Sequence, residues 1–331
     1  MVTKSTPTIA QLFWWASACE ATVPKPGNVS PGRAFDDLTF EDLIAAASAA
    51  APYVGRATGS TLGRSIGDAT AASQRAAGTN ANLGIVLLAV PLAAAAQTTR
   101  GASLPDAVEA TLSATTIDDA AAVYEAIAIA APGGLGQAAE GDIASGPNGT
   151  LQAMMTLASD RDAVARQYVA GRGYADVAAI AAELRTLHAS TGRPFGDDVA
   201  ALFAATLARQ PDTLVARKNG EDEAEAVRQR VESLCGGDPR QITAAAVAAV
   251  DATLRTPDHR LNPGATADLF AAALFWALLE DASPDGGVPS LTAAIIQTVN
   301  GGPALRPAAL FAGDPTRPDE VGFSDGRDAG G

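Results

Sequence analysis

Apolar positions along this chain recur at helical spacing, with little of the alternation that marks strands. Ile9, Leu12, Phe13 and Ala16 form one stripe behind Thr6-Pro7, a start signal because proline's missing N–H costs least in a first turn. That stripe predicts a helix ending near Thr22, before Pro24. Thr39 and Asp42 resemble a capping box and open a second helix towards Tyr53. A third is expected from Leu62 to Ala76, and a very apolar one from Asn80 to Gln97, followed by Pro105–Ser113 and Ile117–Ala130. Residues 131–149, rich in Gly and Pro, read as the longest internal loop, and loops of that length inside compact domains are often functional. Beyond them the pattern predicts helices over 150–170, 174–191, 196–209, 221–235, 239–254, 264–281 and 289–299. No fixed-period repeat and no linker stands out, so the expectation is an all-α, single globular domain of about ten to thirteen packed helices over 1–312, with a flexible acidic Gly/Pro-rich tail at 313–331.

Composition sharpens this picture. Hydrophobic residues make up 47% of the chain and aromatics only 5%, with Ala, the best helix former, dominating the apolar content. A formal net charge of -14 argues against nucleic-acid binding, which needs a basic face. The run Leu83–Ala96 contains Pro91 and falls short of the roughly 20 residues that span a bilayer, so it reads as a buried central helix and no membrane association is expected. The N-terminal residues lack a signal-peptide pattern, and Cys19 and Cys235 are too few for a disulfide framework, so a reducing cytoplasm and buried thiols are expected. Ala-rich apolar helices are compatible with a homodimer.

Chemistry is suggested first by lysine usage. Of 23 Lys plus Arg only Lys4, Lys25 and Lys218 are Lys, and a compact ammonium that fits a phosphate or a reacting oxygen is not interchangeable with a planar guanidinium. Lys25 lies in Val23-Pro24-Lys25-Pro26-Gly27-Asn28-Val29, a rigid turn able to aim Lys25 and the Asn28 amide into a cleft, or merely to end a helix. Glu20, at the close of the first helix, needs a compensating cation there. Asn80-Ala81-Asn82-Leu83-Gly84 precedes the most apolar helix and offers amides and free N–H groups for an anion or ribose; capping alone would account for Asn80. Asp212 to Gly220 places an acid beside Arg217, Lys218 and Asn219, and Asn262-Pro263-Gly264 caps a helix carrying Asp268. The Gly-rich stretch at 133–141 matches no phosphate-binding fingerprint, and His188 and His259 lack metal-ligand spacing, so each reads as a local hydrogen-bonding residue. A metal, if used, would be Mg²⁺ or a similar hard ion on carboxylates and phosphates.

In this order the segments Val-Pro-Lys-Pro-Gly-Asn-Val, Asn-Ala-Asn-Leu-Gly-Ile-Val, Asp-Thr-Leu-Val-Ala-Arg-Lys and Asn-Pro-Gly-Ala-Thr-Ala-Asp-Leu resemble the triphosphoribosyl-dephospho-CoA synthase family over roughly residues 10 to 280. The resemblance implies a helical enzyme that takes ATP and 3'-dephospho-CoA and releases adenine. Where well-known bacterial members resemble Asn-Thr-His-Lys-Gly, this chain has Asn80-Ala-Asn-Leu-Gly84, and Ser30 stands where they carry Asp. These departures look closer to a divergent archaeal or one-carbon-metabolism branch with another acceptor. The resemblance implies Lys25, Lys218, Arg217 and Mg²⁺ on the triphosphate, with Asp142, Asp212 and Asp268 on the metal side. It leaves Glu20, Lys25, Asp36 or Asp37 for the chemistry. Pro24, Gly27, Asn28, Asn80, Asn82, Gly84, Asn262 and Gly264 would shape and orient substrate. A ribosyl transferase of pterin-cofactor biosynthesis and a catalytically inactive scaffold are the alternatives.

Overall fold

The computed structural model describes residues 7–98, 101–130, 143–282 and 290–303. Among them are fifteen α-helices, a single 3-10 turn and no strand. The predicted helices are all present, and two more arise from one physical cause. Asp162 accepts from the Val164 and Ala165 amides, capping a new start inside the segment 150–170 and dividing it into α7 (Leu151–Ala158) and α8 (Ala163–Arg166). Asp212 does the same for α11 (Thr213–Asn219), accepting from Leu214 and Val215. Both aspartates sit within short polar interruptions of apolar sequence.

The centre is α14 (Gly264–Ala282), apolar on every side and packed against α1 (Ile9–Thr22), α4 (Leu83–Thr98) and α9 (Ala175–Thr191). Phe13 of α1 meets Phe275 edge-on at 5.9 Å, and Phe203 of α10 (Phe195–Arg209) meets Phe270 at 5.1 Å. Each such buried side chain contributes about 1.5–3 kcal/mol. Around this axis α2 (Phe40–Val54), α3 (Leu62–Ala77) and α6 (Ile117–Ala130) form one flank. The other flank is built from α10, α12 (Glu221–Cys235) and α13 (Ala244–Leu254). The predicted Thr39–Asp42 capping box is formed at α2.

Pro91 lies inside the buried α4, where a proline leaves the carbonyl four residues earlier without its N–H. That carbonyl belongs to Leu87, and the Tyr168 hydroxyl donates to it at 2.6 Å. The Tyr174 hydroxyl donates to the next carbonyl, Leu88, at 3.3 Å. Both phenols are buried, and burial raises both well above the ordinary tyrosine range. None of the described helices is long and apolar enough to cross a membrane. Cys19 is buried and Cys235 partly so, both as free thiols, and burial pushes Cys19 up to about 12.

Candidate functional site

The turn that ends α1 is set by its own residues. Pro26 and Gly27 occupy the two central positions of a turn closed by the Asn28 amide on the Lys25 carbonyl, and Gly27 has φ 73°. That is the type II pattern, which needs glycine at its third position. A Cβ there would lie 2.8 Å from the Leu254 Cβ and 2.9 Å from the Pro263 ring. From α13, buried Asp251 accepts the Gly27 amide at 2.9 Å and pairs with Arg33 and Arg255, while Arg255 donates to the Asn28 carbonyl at 2.7 Å. The turn is thereby clamped with the Asn28 side chain in the wall of a cavity of about 1740 Å³.

Lys25 does not reach that cavity. Its ammonium is fully buried 2.9 Å from the Glu20 carboxylate, and it also donates to the Glu20 and Val23 carbonyls at the C-terminus of α1. Three acceptors around a point-like cation explain lysine over arginine here, and a cation at a helix C-terminus meets the dipole favourably. The expected phosphate ligand is therefore the compensating cation that Glu20 required. Pro24 is exposed, Gly27 lies behind the wall, and Asn28 and Val29 of this motif line the cavity together with Glu20.

The second motif meets it there. Asn80 accepts from the Leu83 amide at 3.3 Å and so caps α4, while Asn82 is buried with its Nδ2 unpaired. Asn28 is likewise buried with Nδ2 unpaired, and Asn262 leaves its Oδ1 unpaired. An unmet buried polar atom is costly, so three such amides around one cavity mark it as built for a polar ligand. Gly84 faces Asp268: a Cβ at residue 84 would lie 2.0 Å from the Asp268 Oδ2. Only glycine admits that carboxylate beside the start of α4.

Asp268 makes no hydrogen bond among the described residues. Burial, then the charges of Glu20, Asp162 and Asp212, hold its carboxyl well above the ordinary carboxylate range, with Arg217 opposing. Asp212, by contrast, is spent on structure. Its Oδ1 caps α11, and its Oδ2 accepts from the Thr266 amide and hydroxyl, both at 2.7 Å, so it caps α14 from outside. Asp212 thus serves as a cap of two helices, and Asn262, whose Oδ1 is unpaired, does not cap α14. Asp142 lies outside the described residues. No group of three His, Cys, Asp or Glu side chains among the described residues comes close enough to hold a metal unaided.

Cations gather on the side formed by α8 and α11. Arg217 lines the cavity and pairs with Asp162 at 2.8 Å; Lys218 lines it, exposed. Arg161 and Arg166 join them, anchored by the Leu157 and Ser159 carbonyls. These two arginines were missed because 150–170 read as an uninterrupted helix; Asp160-Arg161-Asp162 was the available signal. Asp36 and Asp37 line the mouth, exposed, on the loop after Val29. Gly264 lines it too, and a Cβ there would meet Leu214 at 2.6 Å.

The cavity holds one aromatic feature that sequence reasoning assigned elsewhere. His259 stacks on Phe35 with ring centroids 4.2 Å apart and an interplanar angle of 20°. Its φ is 50°, left-handed for a residue with a Cβ, at a cost of about 1–2 kcal/mol. His188 is the local residue expected, with Nδ1 2.9 Å from the buried Asp198.

Comparison with known proteins agrees with this geometry. No curated protein matches the chain. A structure assigned as a triphosphoribosyl-dephospho-CoA synthase of Archaeoglobus fulgidus superposes with a TM-score of 0.55 at 23% identity, covering 74% of this chain and 100% of that one, a likeness of fold. The family model for ATP:dephospho-CoA triphosphoribosyl transferase matches residues 6–286, which contain every motif of the cavity wall. The chain belongs to the ATP:dephospho-CoA triphosphoribosyl transferase family.

Proposed function

We propose that the cavity transfers the 5-triphosphoribosyl group of ATP to a hydroxyl of 3'-dephospho-CoA and releases adenine. The observation that carries this reading is the meeting of an unpaired carboxylate, Asp268, with the Arg161, Arg166, Arg217 and Lys218 side chains in one cavity of about 1740 Å³. Single-ligand pockets run to roughly 300–1,000 Å³, so this volume suits two nucleotides side by side.

In the proposed reaction the bond from C1' of the ribose to adenine breaks and adenine leaves with the electron pair, taking a proton from solvent as it is released. The acceptor oxygen forms the new bond to C1' and its proton passes to Asp268, a cleft carboxylate with no hydrogen bond or ion pair among the described residues. Glu20, ion-paired with Lys25, supplies negative charge beside the developing oxocarbenium ion. The unpaired amides of Asn28 and Asn82 orient ribose hydroxyls or phosphate. The described residues offer no cluster that would hold Mg²⁺ unaided, so Mg²⁺ would be carried on the phosphate oxygens of ATP and would offset triphosphate charge.

Incubating the protein with Mg-ATP and 3'-dephospho-CoA and following free adenine tests the reading. Adenine release that requires dephospho-CoA is expected. Release only with a different hydroxyl acceptor would overturn the acceptor assignment, and none with any acceptor would overturn the reaction. Asp268→Asn is expected to lower kcat by at least 10²-fold, in the range for loss of a general base.

A further inference from the structure

The stacked pair Phe35 and His259 has no part in the chemistry above, yet both rings line the cavity. Phe35 is 8% exposed and belongs to a small apolar cluster with Val29 and Phe40, so its ring is a fixed backing. His259 lies against it, is partly exposed and lines the same cavity. Its backbone is held in the left-handed conformation by two turns, its own amide on the Thr256 carbonyl and the Asn262 amide on the His259 carbonyl. A packing histidine has no need of that strain, which persists where the surrounding structure over-determines a functional position. Its Nδ1 is buried and unpaired, so no protein hydrogen bond accounts for the ring's placement. What the geometry offers is a flat π-surface, backed by a second ring, at the edge of a polar cavity.

We infer that His259 is the stacking platform for a purine base, with Phe35 as the positioning residue that keeps the imidazole flat. Adenine is the base common to both proposed nucleotides, so the platform serves either the donor's adenine or the acceptor's. The inference rests on the nucleotide-transfer reading for the presence of adenine in the cleft, and it adds the element that grips the base.

Binding of ATP, 3'-dephospho-CoA and inorganic tripolyphosphate to the wild type, His259→Asn, His259→Phe and Phe35→Leu tests it by calorimetry. Asn tolerates the left-handed backbone, so it removes the ring and keeps the turn. His259→Asn is expected to weaken one of the two nucleotides by about tenfold or more, the magnitude of one lost base stack, with tripolyphosphate unchanged. His259→Phe is expected to bind nearly as the wild type, and Phe35→Leu to fall between. The nucleotide that weakens identifies whose base is held. Unchanged affinity for both nucleotides in His259→Asn, or an equal loss for tripolyphosphate, would overturn the platform. Adenine release by the wild type with unchanged His259→Asn affinity would leave the transfer reading standing without it. Weakened binding in a protein that releases no adenine would do the reverse.

Discussion

At the scale of single residues, the Lys25–Glu20 pair decides how mutations near the cleft must be interpreted. Breaking a buried ion pair by removing one partner costs about 3–5 kcal/mol, because the other charge stays buried alone. Lys25→Ala is therefore expected to lose stability of that order in urea unfolding, and its loss of activity would say nothing about phosphate contact. Glu20→Gln with Lys25→Met should recover most of the stability while activity stays low. Lys218 behaves oppositely. It is exposed in the cavity wall and has no ion pair among the described residues, so Lys218→Ala should weaken ATP binding several-fold with the melting temperature unchanged. Asp268 gives a pH signature. Its folded pKa is raised above the ordinary 3.8, so the native state holds the proton more tightly than the unfolded chain. That contribution is complete below the unfolded pKa and declines as pH rises through the window up to the folded value. Asp268→Asn should therefore be increasingly more stable than the wild type as pH rises above about 4, which melting curves across pH would check.

At the scale of helices, most of the fold was legible and much of the site was not, for a common reason. Apolar spacing and caps are local, so α1 to α6 follow from sequence with the Thr39 box and the Asn80 cap, while the box that starts α1 lies at Thr8 and not at Thr6-Pro7. Partners across the chain are not local. Nothing near Asp212 announces that its second oxygen caps α14, whereas the acceptors of Lys25 lie within five residues of it and answer the cation that Glu20 was expected to need. The motif order brought Asn28, Asn82, Asp268 and Arg217 to one cavity as expected; Arg161, Arg166 and His259 entered through breaks and turns that periodicity does not reveal. The contact of α4 with α14 carries its own test. Gly84→Ala would place a methyl group against the Asp268 carboxylate, so it should lower activity strongly, whereas Gly78→Ala, whose Cβ would meet nothing within 4 Å, should act only through its left-handed backbone.

At the scale of the whole molecule, the cleft gathers cations within a chain whose net charge is -14. A triphosphate approaching it crosses an unfavourable field and, among the described residues, meets cations only on the side of Arg161, Arg166, Arg217 and Lys218, in a lining that also carries nine carboxylates. Chelating divalent cations should accordingly raise the KM for ATP while leaving the melting temperature of the free protein unchanged. The Tyr168 bond to Leu87 has a different consequence, for synthesis. The hydroxyl that completes α4 lies 81 residues further along the chain. At about 5–20 residues per second, the ribosome releases an apolar helix with an open carbonyl and delivers its partner roughly 4–16 seconds later. The central α14 emerges later still. A nascent chain in that interval displays a greasy, unfinished seam, the kind of surface that chaperones shield.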